Sequence, residues 1–109
     1  MNWISLTDMA QLDSINKNSF DTPQVIFKHS TRCSISSMAL NRLEREEAPT
    51  NTDFYYLDLI KYRDISNAIA DQFNVYHESP QILVIKNGAC IYDESHQGIN
   101  MNEITEQVA

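Results

Sequence analysis

The feature that most constrains the fold is the alternation of short apolar runs with amphipathic segments along most of the chain. Residues 25–27, 54–59 and 81–85 are dominated by bulky aliphatic or aromatic side chains without helical spacing, which favours buried strands. Between these runs, residues 34–47 and 65–73 carry apolar side chains at three- and four-residue steps, which predicts helices. A helix between the first two strands makes them parallel neighbours joined by a right-handed crossover.

The C-terminal part of the sequence predicts a hairpin followed by a helix. Asn87-Gly88 is a strong hairpin signal, so residues 89–92 should fold back antiparallel onto residues 81–85. Helices are also expected over residues 7–17 and 99–108. The chain is therefore expected to form one α/β domain over residues 1–109, with a four-stranded mixed sheet and flanking helices. This order of elements is that of the thioredoxin-like fold.

Composition and charge exclude several classes of protein. A chain of 109 residues is long enough for one hydrophobic core. The 15 acidic and 8 scattered basic residues give a net charge of −7, which would repel a phosphate backbone. No apolar run has the length of a membrane span, and the N-terminal residues lack the pattern of a secretory signal. We expect a cytoplasmic protein without nucleic-acid or membrane partners, and its oligomeric state stays open.

Cys33 is the candidate nucleophile of the two cysteines in the chain. It follows the polar turn of residues 29–32 and immediately precedes the helix predicted from Ser34. The free N–H groups of a helix N-terminus and the neighbouring Arg32 stabilise a thiolate, which is the reactive form of cysteine. The alternative is a small residue that fills space at a helix start, and the polar turn argues against it.

Ser36 completes a motif with the spacing of a C-x-x-C redox site, in which serine replaces the second cysteine. It lies one helical turn after Cys33, so its hydroxyl is expected to donate a hydrogen bond to the thiolate. The motif itself cannot close a disulfide. Such a protein takes a small thiol onto its single cysteine and needs an external thiol for release. The alternative for Ser36 is an ordinary exposed helix serine.

Cys90 is predicted to be a sheet residue remote from Cys33. A two-residue turn at Asn87-Gly88 pairs Ile85 with Cys90. In a thioredoxin-like fold the active-site cysteine lies near the start of the third predicted strand, here Pro80, which is about 16 Å from Ile85 along a strand. Since a disulfide requires Cα atoms within about 7 Å, Cys90 is not expected to pair with Cys33.

The same strand register places Ser95 opposite Pro80, with His96 beside it. His96 is then either a contact for the thiolate or for a bound small thiol, or a surface loop histidine. His29 faces either the site or the solvent, and the sequence leaves this open. His77 leads into the Ser79-Pro80 segment and is predicted to be structural.

Four stretches together resemble the YtxJ-like proteins, also called monothiol bacilliredoxins, of the thioredoxin superfamily. They are Phe-Lys-His-Ser-Thr-Arg-Cys-Ser-Ile-Ser at 27–36, His-Glu-Ser-Pro-Gln at 77–81, Lys-Asn-Gly at 86–88 and Ser-His at 95–96. The resemblance implies that Cys33 is the nucleophile and that Ser79-Pro80 is a cis-proline element lying against it. It also implies a link to bacillithiol, a small thiol whose two carboxylates Arg32 and Lys28 could bind.

One position departs from the pattern of the wider glutaredoxin-like group. Many of its members have proline directly after the nucleophile, whereas this chain has Ser34. This difference leaves the expected fold unchanged. It affects the redox poise of the site, because this position influences thiolate stability.

The leading functional hypothesis is a monothiol thiol–disulfide oxidoreductase that removes bacillithiol, or a similar small thiol, from S-thiolated client proteins. Its co-substrate is the small thiol, and no tightly bound cofactor or metal is expected. The expected catalytic residues are Cys33 and Ser36. The expected substrate-binding residues are Thr31, Arg32, Ser79, Pro80, Ser95 and His96.

Two other functions stay open at this point. The first is a non-catalytic redox-sensing adaptor whose Cys33 is reversibly thiolated and whose surface then binds a partner. The second is a metal or cluster site shared between protomers through Cys33 and His29, for which the chain offers few ligands.

Overall fold

A mixed five-stranded sheet with strand order β1-β3-β2-β4-β5 forms the middle layer of the molecule. The computed structural model describes all 109 residues. The elements in chain order are β1 Trp3–Ser5, α1 Ala10–Asn18, β2 Gln24–His29, α2 Ser34–Arg45, β3 Asp53–Asp58, α3 Arg63–Gln72, β4 Gln81–Lys86, β5 Ala89–Ser95, a 3₁₀ turn His96–Gly98 and α4 Met101–Val108. Strands β2 and β3 are parallel and β4–β5 is an antiparallel hairpin, so the predicted α/β, thioredoxin-like arrangement is confirmed.

The sheet has one strand more than the four predicted. The additional strand β1 pairs in parallel with β3 at the edge of the sheet, with Trp3 opposite Phe54. It is only three residues long, and Ile4 at its centre is 41% exposed. So short an edge strand needs no apolar run, and only its pairing with β3 makes it a strand.

Helices cover both faces of the sheet. All six residues of β2 are buried, as expected for a central strand covered on both sides. Helices α1 and α3 pack on one face through Leu12, Ile15, Ile65 and Ile69. Helices α2 and α4 pack on the other through Ala39, Leu43, Met101 and Ile104. None of these helices is both long enough and apolar enough to cross a membrane.

The inward face of α2 differs from the predicted one. The apolar spacing placed Ile35 and Met38 inside, but their side chains are 50% and 60% exposed. The buried residues of α2 are Ser36, Ala39 and Leu43, which also follow a helical period. The helix is therefore rotated so that a serine in its first turn faces the protein interior.

The hairpin turn has the predicted geometry. Asn87 and Gly88 both have positive φ angles, 53° and 77°, as a type I′ turn requires. Ile85 pairs with Cys90, as predicted. The turn is docked onto the end of α1, because the N–H groups of Asn87 and Gly88 donate to the carbonyl and hydroxyl oxygens of Ser19 at 2.9 and 2.8 Å.

The far end of the hairpin is displaced by one residue from the predicted register. The pairing shifts between Val84 and Ile85, so that Val84 lies opposite Tyr92 and Ile91 is left without a partner. Ser95 consequently pairs with Gln81 and not with Pro80. A bulge of this kind has no marker in the local sequence, because Ile91 is an ordinary strand residue.

Replacing Gly88 tests the turn. Because φ is +77° at this position, Gly88→Ala should lower the free energy of unfolding by about 1–2 kcal/mol. The new Cβ would also lie 3.0 Å from Cζ of Phe20 and 3.2 Å from Oδ1 of Asn16. Urea denaturation measures the change, with Asn87→Gly as the control that should not destabilise. An alanine variant as stable as the parent would contradict this turn geometry.

Candidate active site

The segments that carry the predicted site residues meet at one end of the sheet. Lys28, near the carboxyl end of β2, pairs with Gln81 at the start of β4, and Gln81 also pairs with Ser95 at the end of β5. The turn after β2, the segment before β4 and the end of β5 therefore lie along the same edge. Ser95 is one residue out of the predicted register, but the strand ends that carry these segments are paired at this edge.

Cys33 occupies the N-cap position of α2, with extended backbone angles of −108° and 124°. Its carbonyl accepts the first intrahelical hydrogen bond, from Ser37 N–H at 3.1 Å. The N–H groups of the three residues between them, 34–36, therefore have no carbonyl within the helix to bind. The half-buried Cys33 lies beside these N–H groups, which carry partial positive charge, and it is flanked by exposed Thr31 and Arg32.

Ser36 is fully buried, contrary to the exposed-serine alternative. Its Oγ accepts a hydrogen bond from Ser30 N–H at 3.0 Å and lies 2.7 Å from Nδ1 of His29. Both hydrogen bonds of the hydroxyl run to these partners, and neither reaches Cys33. In this conformation Ser36 joins the turn after β2 to the first turn of α2, which holds the N-terminus of the helix in place.

His29 faces the protein interior, which settles the orientation that the sequence left open. Its ring is stacked on Phe27, with centroids 5.6 Å apart, and lies 5.4 Å from the ring of Tyr56. Burial lowers the pKa of His29, against the opposing effect of the Asp58 and Glu44 carboxylates. The imidazole is therefore neutral at pH 7, and its Nδ1 can accept a hydrogen bond from the Ser36 hydroxyl.

Pro80 and His96 are neighbours through a backbone hydrogen bond. The Ser79–Pro80 peptide is cis, as the family resemblance implied. The carbonyl of buried Pro80 accepts from His96 N–H at 3.2 Å. The His96 imidazole is exposed, and its Nε2 lies 4.0 Å from Oε2 of Glu78. It therefore lies at the edge of the segment that leads into Pro80. The Oγ atom of Ser79 is buried without a hydrogen-bond partner.

Arg42 is a positioning residue that the sequence analysis did not single out. Its Nη2 donates to the carbonyl of His96 at 2.8 Å, and its Nε donates to the carbonyl of Ile99 at 3.2 Å. These bonds attach α2 to the turn that carries His96. The acceptors are backbone carbonyls far along the chain, so no local pattern could have identified them.

Lys28 does not serve as the expected cation for a carboxylate. Its side chain is fully buried on the α3 side of the sheet. Its Nζ donates to the carbonyl of Ser66 at 3.2 Å and lies 3.4 Å from Nδ1 of His77. Burial lowers the pKa of Lys28 to about 8. Arg32 is the exposed cation next to Cys33.

Cys90 is a half-buried free thiol in β5. It packs against the α1–α3 layer, and its Sγ lies 3.3 Å from the carbonyl oxygen of Tyr92. Burial raises the pKa of this thiol, which keeps it protonated and poorly nucleophilic. No group of three or more histidine, cysteine, aspartate or glutamate side chains is arranged to hold a metal ion.

The contrast between the cysteines predicts selective alkylation. At pH 7, iodoacetamide should label Cys33 at least about tenfold faster than Cys90, because Cys33 lies at a helix N-terminus and the Cys90 thiol is stabilised by burial. Peptide mass spectrometry over a time course measures both rates. Equal labelling of the two cysteines would contradict this description of the site.

The buried serine predicts a loss of stability on its removal. Ser36→Ala leaves the Ser30 N–H and the His29 ring nitrogen without their partner, which should lower the free energy of unfolding by about 1–3 kcal/mol. Ser37→Ala is the matched control, because the Ser37 side chain makes no hydrogen bond within the protein. A Ser36→Ala variant as stable as this control would show that the His29–Ser36 contact contributes nothing.

Comparison with known structures supports the fold. The chain is 30% identical to an oxidoreductase with a thioredoxin fold, with 94% of this chain and 90% of that chain covered and a TM-score of 0.79. Thioredoxin Mala s 13 of Malassezia sympodialis is 17% identical, with coverages of 98% and 88% and a TM-score of 0.72. Fasciola hepatica thioredoxin is 19% identical, with coverages of 95% and 94% and a TM-score of 0.67. The two thioredoxins show the fold alone.

Comparison with protein families gives a match over almost the whole chain. The sequence model of the family described as monothiol bacilliredoxin BrxC matches residues 4–104. That range includes Cys33, Ser36, the Ser79–Pro80 segment and His96. The match supports thiol oxidoreductase chemistry with thiol-containing partners. The chain belongs to the monothiol bacilliredoxin family.

Proposed function

We propose that the chain is a monothiol thiol–disulfide oxidoreductase that removes bacillithiol, or a similar small thiol, from protein cysteines. The observation that carries this proposal is the position of Cys33 at the N-terminus of α2, with serine and not cysteine one helical turn later. Cys90 lies in β5, packed against the opposite core layer from α2. One thiol therefore has to perform every covalent step.

The reaction consists of two thiol–disulfide exchanges. The Cys33 thiolate attacks the small-thiol sulfur of the mixed disulfide, a new S–S bond forms, and the client cysteine leaves as a thiolate that takes a proton from solvent. A free small thiol, as its thiolate, then attacks the adduct and leaves with the bound thiol as a symmetrical disulfide. Cys33 returns to its starting state, and the two electrons come from the small thiol.

We expect the substrate-binding residues Thr31, Arg32, Ser79, Pro80, Ser95 and His96 to lie around Cys33, because the segments that carry them end at the same edge of the sheet. Arg32 is exposed and supplies a cation for an anionic small thiol. Ser79 is assigned to the site as part of the segment that leads into Pro80, and its buried Oγ has no hydrogen-bond partner within the protein. Thr31, Ser95 and His96 complete the proposed binding site. We place the activity in the cytoplasm, where a reduced thiol pool would regenerate Cys33.

The test uses a model protein that carries bacillithiol on a single cysteine. The parent protein and the matched control Cys90→Ser should release the free client and gain one bacillithiol on Cys33, seen by mass spectrometry. Added bacillithiol should then clear the adduct over repeated turnovers. Cys33→Ser should do neither, because it lacks the only thiol in this site.

Other outcomes of this experiment would contradict the proposal. An adduct that forms once and resists free thiol would identify a redox-sensing adaptor. A Cys33–Cys90 disulfide would show that the mechanism uses two thiols. Equal or faster turnover of a glutathionylated model protein would overturn the assignment of bacillithiol as the preferred small thiol.

A further inference from the structure

A partly buried polar cluster of Lys28, Ser66 and His77 lies on the opposite face of β2 from His29, and the proposed reaction does not use it. Lys28 Nζ lies 3.2 Å from the Ser66 carbonyl and 3.4 Å from Nδ1 of His77. The Ser66 hydroxyl is 3.3 Å from the same histidine nitrogen. These contacts join β2, α3 and the segment that leads into Pro80.

The cluster is unfavourable for stability by itself. Lys28 is fully buried on the face of the sheet whose apolar layer includes Ile26, Ile65 and Leu83. Burial disfavours the charged form of the Lys28 side chain and lowers its pKa to about 8. An apolar residue of similar volume usually serves a core at least as well. The cation therefore points to a role other than stabilisation.

The Lys28 ammonium contacts the segment of residues 76–78, whose side chains are otherwise exposed to solvent. Tyr76, His77 and Glu78 are exposed, and Tyr76 is 94% exposed. The segment is held at two points, through the Tyr76 carbonyl by Nε2 of Gln81 at 2.8 Å and through His77 by Lys28. Lys28 and Gln81 are cross-strand partners in β2 and β4. Both anchors therefore come from the rigid sheet.

We propose that Lys28 is a positioning residue whose ammonium fixes His77 and thereby sets where Ser79 and Pro80 stand when the mixed disulfide binds. This inference rests on the proposed function and assigns the residue that orders its substrate-binding segment. Lys28 makes no hydrogen bond with Cys33, and its partners lie on the α3 side of the sheet. Its removal should therefore weaken substrate binding and leave the reactivity of the thiol unchanged.

Lys28→Met tests this role, because methionine keeps most of the aliphatic stem and removes the ammonium. We expect the KM for the bacillithiolated model protein to rise roughly tenfold, with kcat and the rate of Cys33 alkylation by iodoacetamide unchanged. The backbone ¹⁵N NMR order parameters of residues 77–79 should fall, because the segment loses a contact that orders it. Lys17→Met, at an exposed lysine of α1, is the matched control and should change none of these quantities.

His77→Leu removes the acceptor and should reproduce the rise in KM. The double variant should be no worse than His77→Leu alone, because His77→Leu already removes the Lys28–His77 contact, together with the Ser66–His77 contact. Should Lys28→Met fail to fold, His77→Leu carries the same test, since its side chain is exposed. An unchanged KM and unchanged order parameters in both variants would overturn the proposal, as would slower alkylation of Cys33. If the parent protein shows no turnover, the proposed function fails, and the order parameters of residues 77–79 still decide whether Lys28 orders the segment.

Discussion

The complete burial of β2 between two helical layers is the constraint on which the site depends. Strand residues alternate between faces, so the two polar residues at its carboxyl end enter opposite layers and must find partners there. His29 bonds Ser36 at the start of α2. Lys28 bonds Ser66 and the histidine that precedes Pro80. One strand thereby holds both segments of the site, the one with the nucleophile and the one proposed to bind substrate.

The proposed chemistry depends on the backbone N–H groups at the start of α2, which this arrangement leaves without a partner in the helix. The first N–H groups of α2 have no carbonyl to bind within the helix, and they lie next to a half-buried Cys33. Ser36 occupies the position of the second cysteine of a dithiol site. Its hydroxyl is hydrogen-bonded inside the protein, to Ser30 N–H and His29. Ser36 in this conformation holds the start of the helix in place, and in the proposed reaction an external thiol has to release the adduct.

The errors of the sequence interpretation have a common origin in long-range packing. Ile35 and Met38 have the spacing of an inward helix face, yet the partner of α2 at this point is His29, so Ser36 turns inward. A lysine ammonium is normally solvated, but Lys28 is buried because helices cover both faces of its strand. The bulge that moves Ser95 from Pro80 to Gln81 involves residues that are individually ordinary.

The sequence by itself determined the order of elements, the type I′ turn at Asn87-Gly88 and the place of Cys33 between a strand and a helix, because these depend on local periodicity and backbone preference. The family resemblance added the cis peptide at Pro80, which the structure contains. Only the tertiary structure decided the fifth strand, the orientation of His29 and the partners of Lys28. The fifth strand depends on pairing with distant β3, and the other two features depend on which groups satisfy a buried polar atom. No local pattern encodes such a partner.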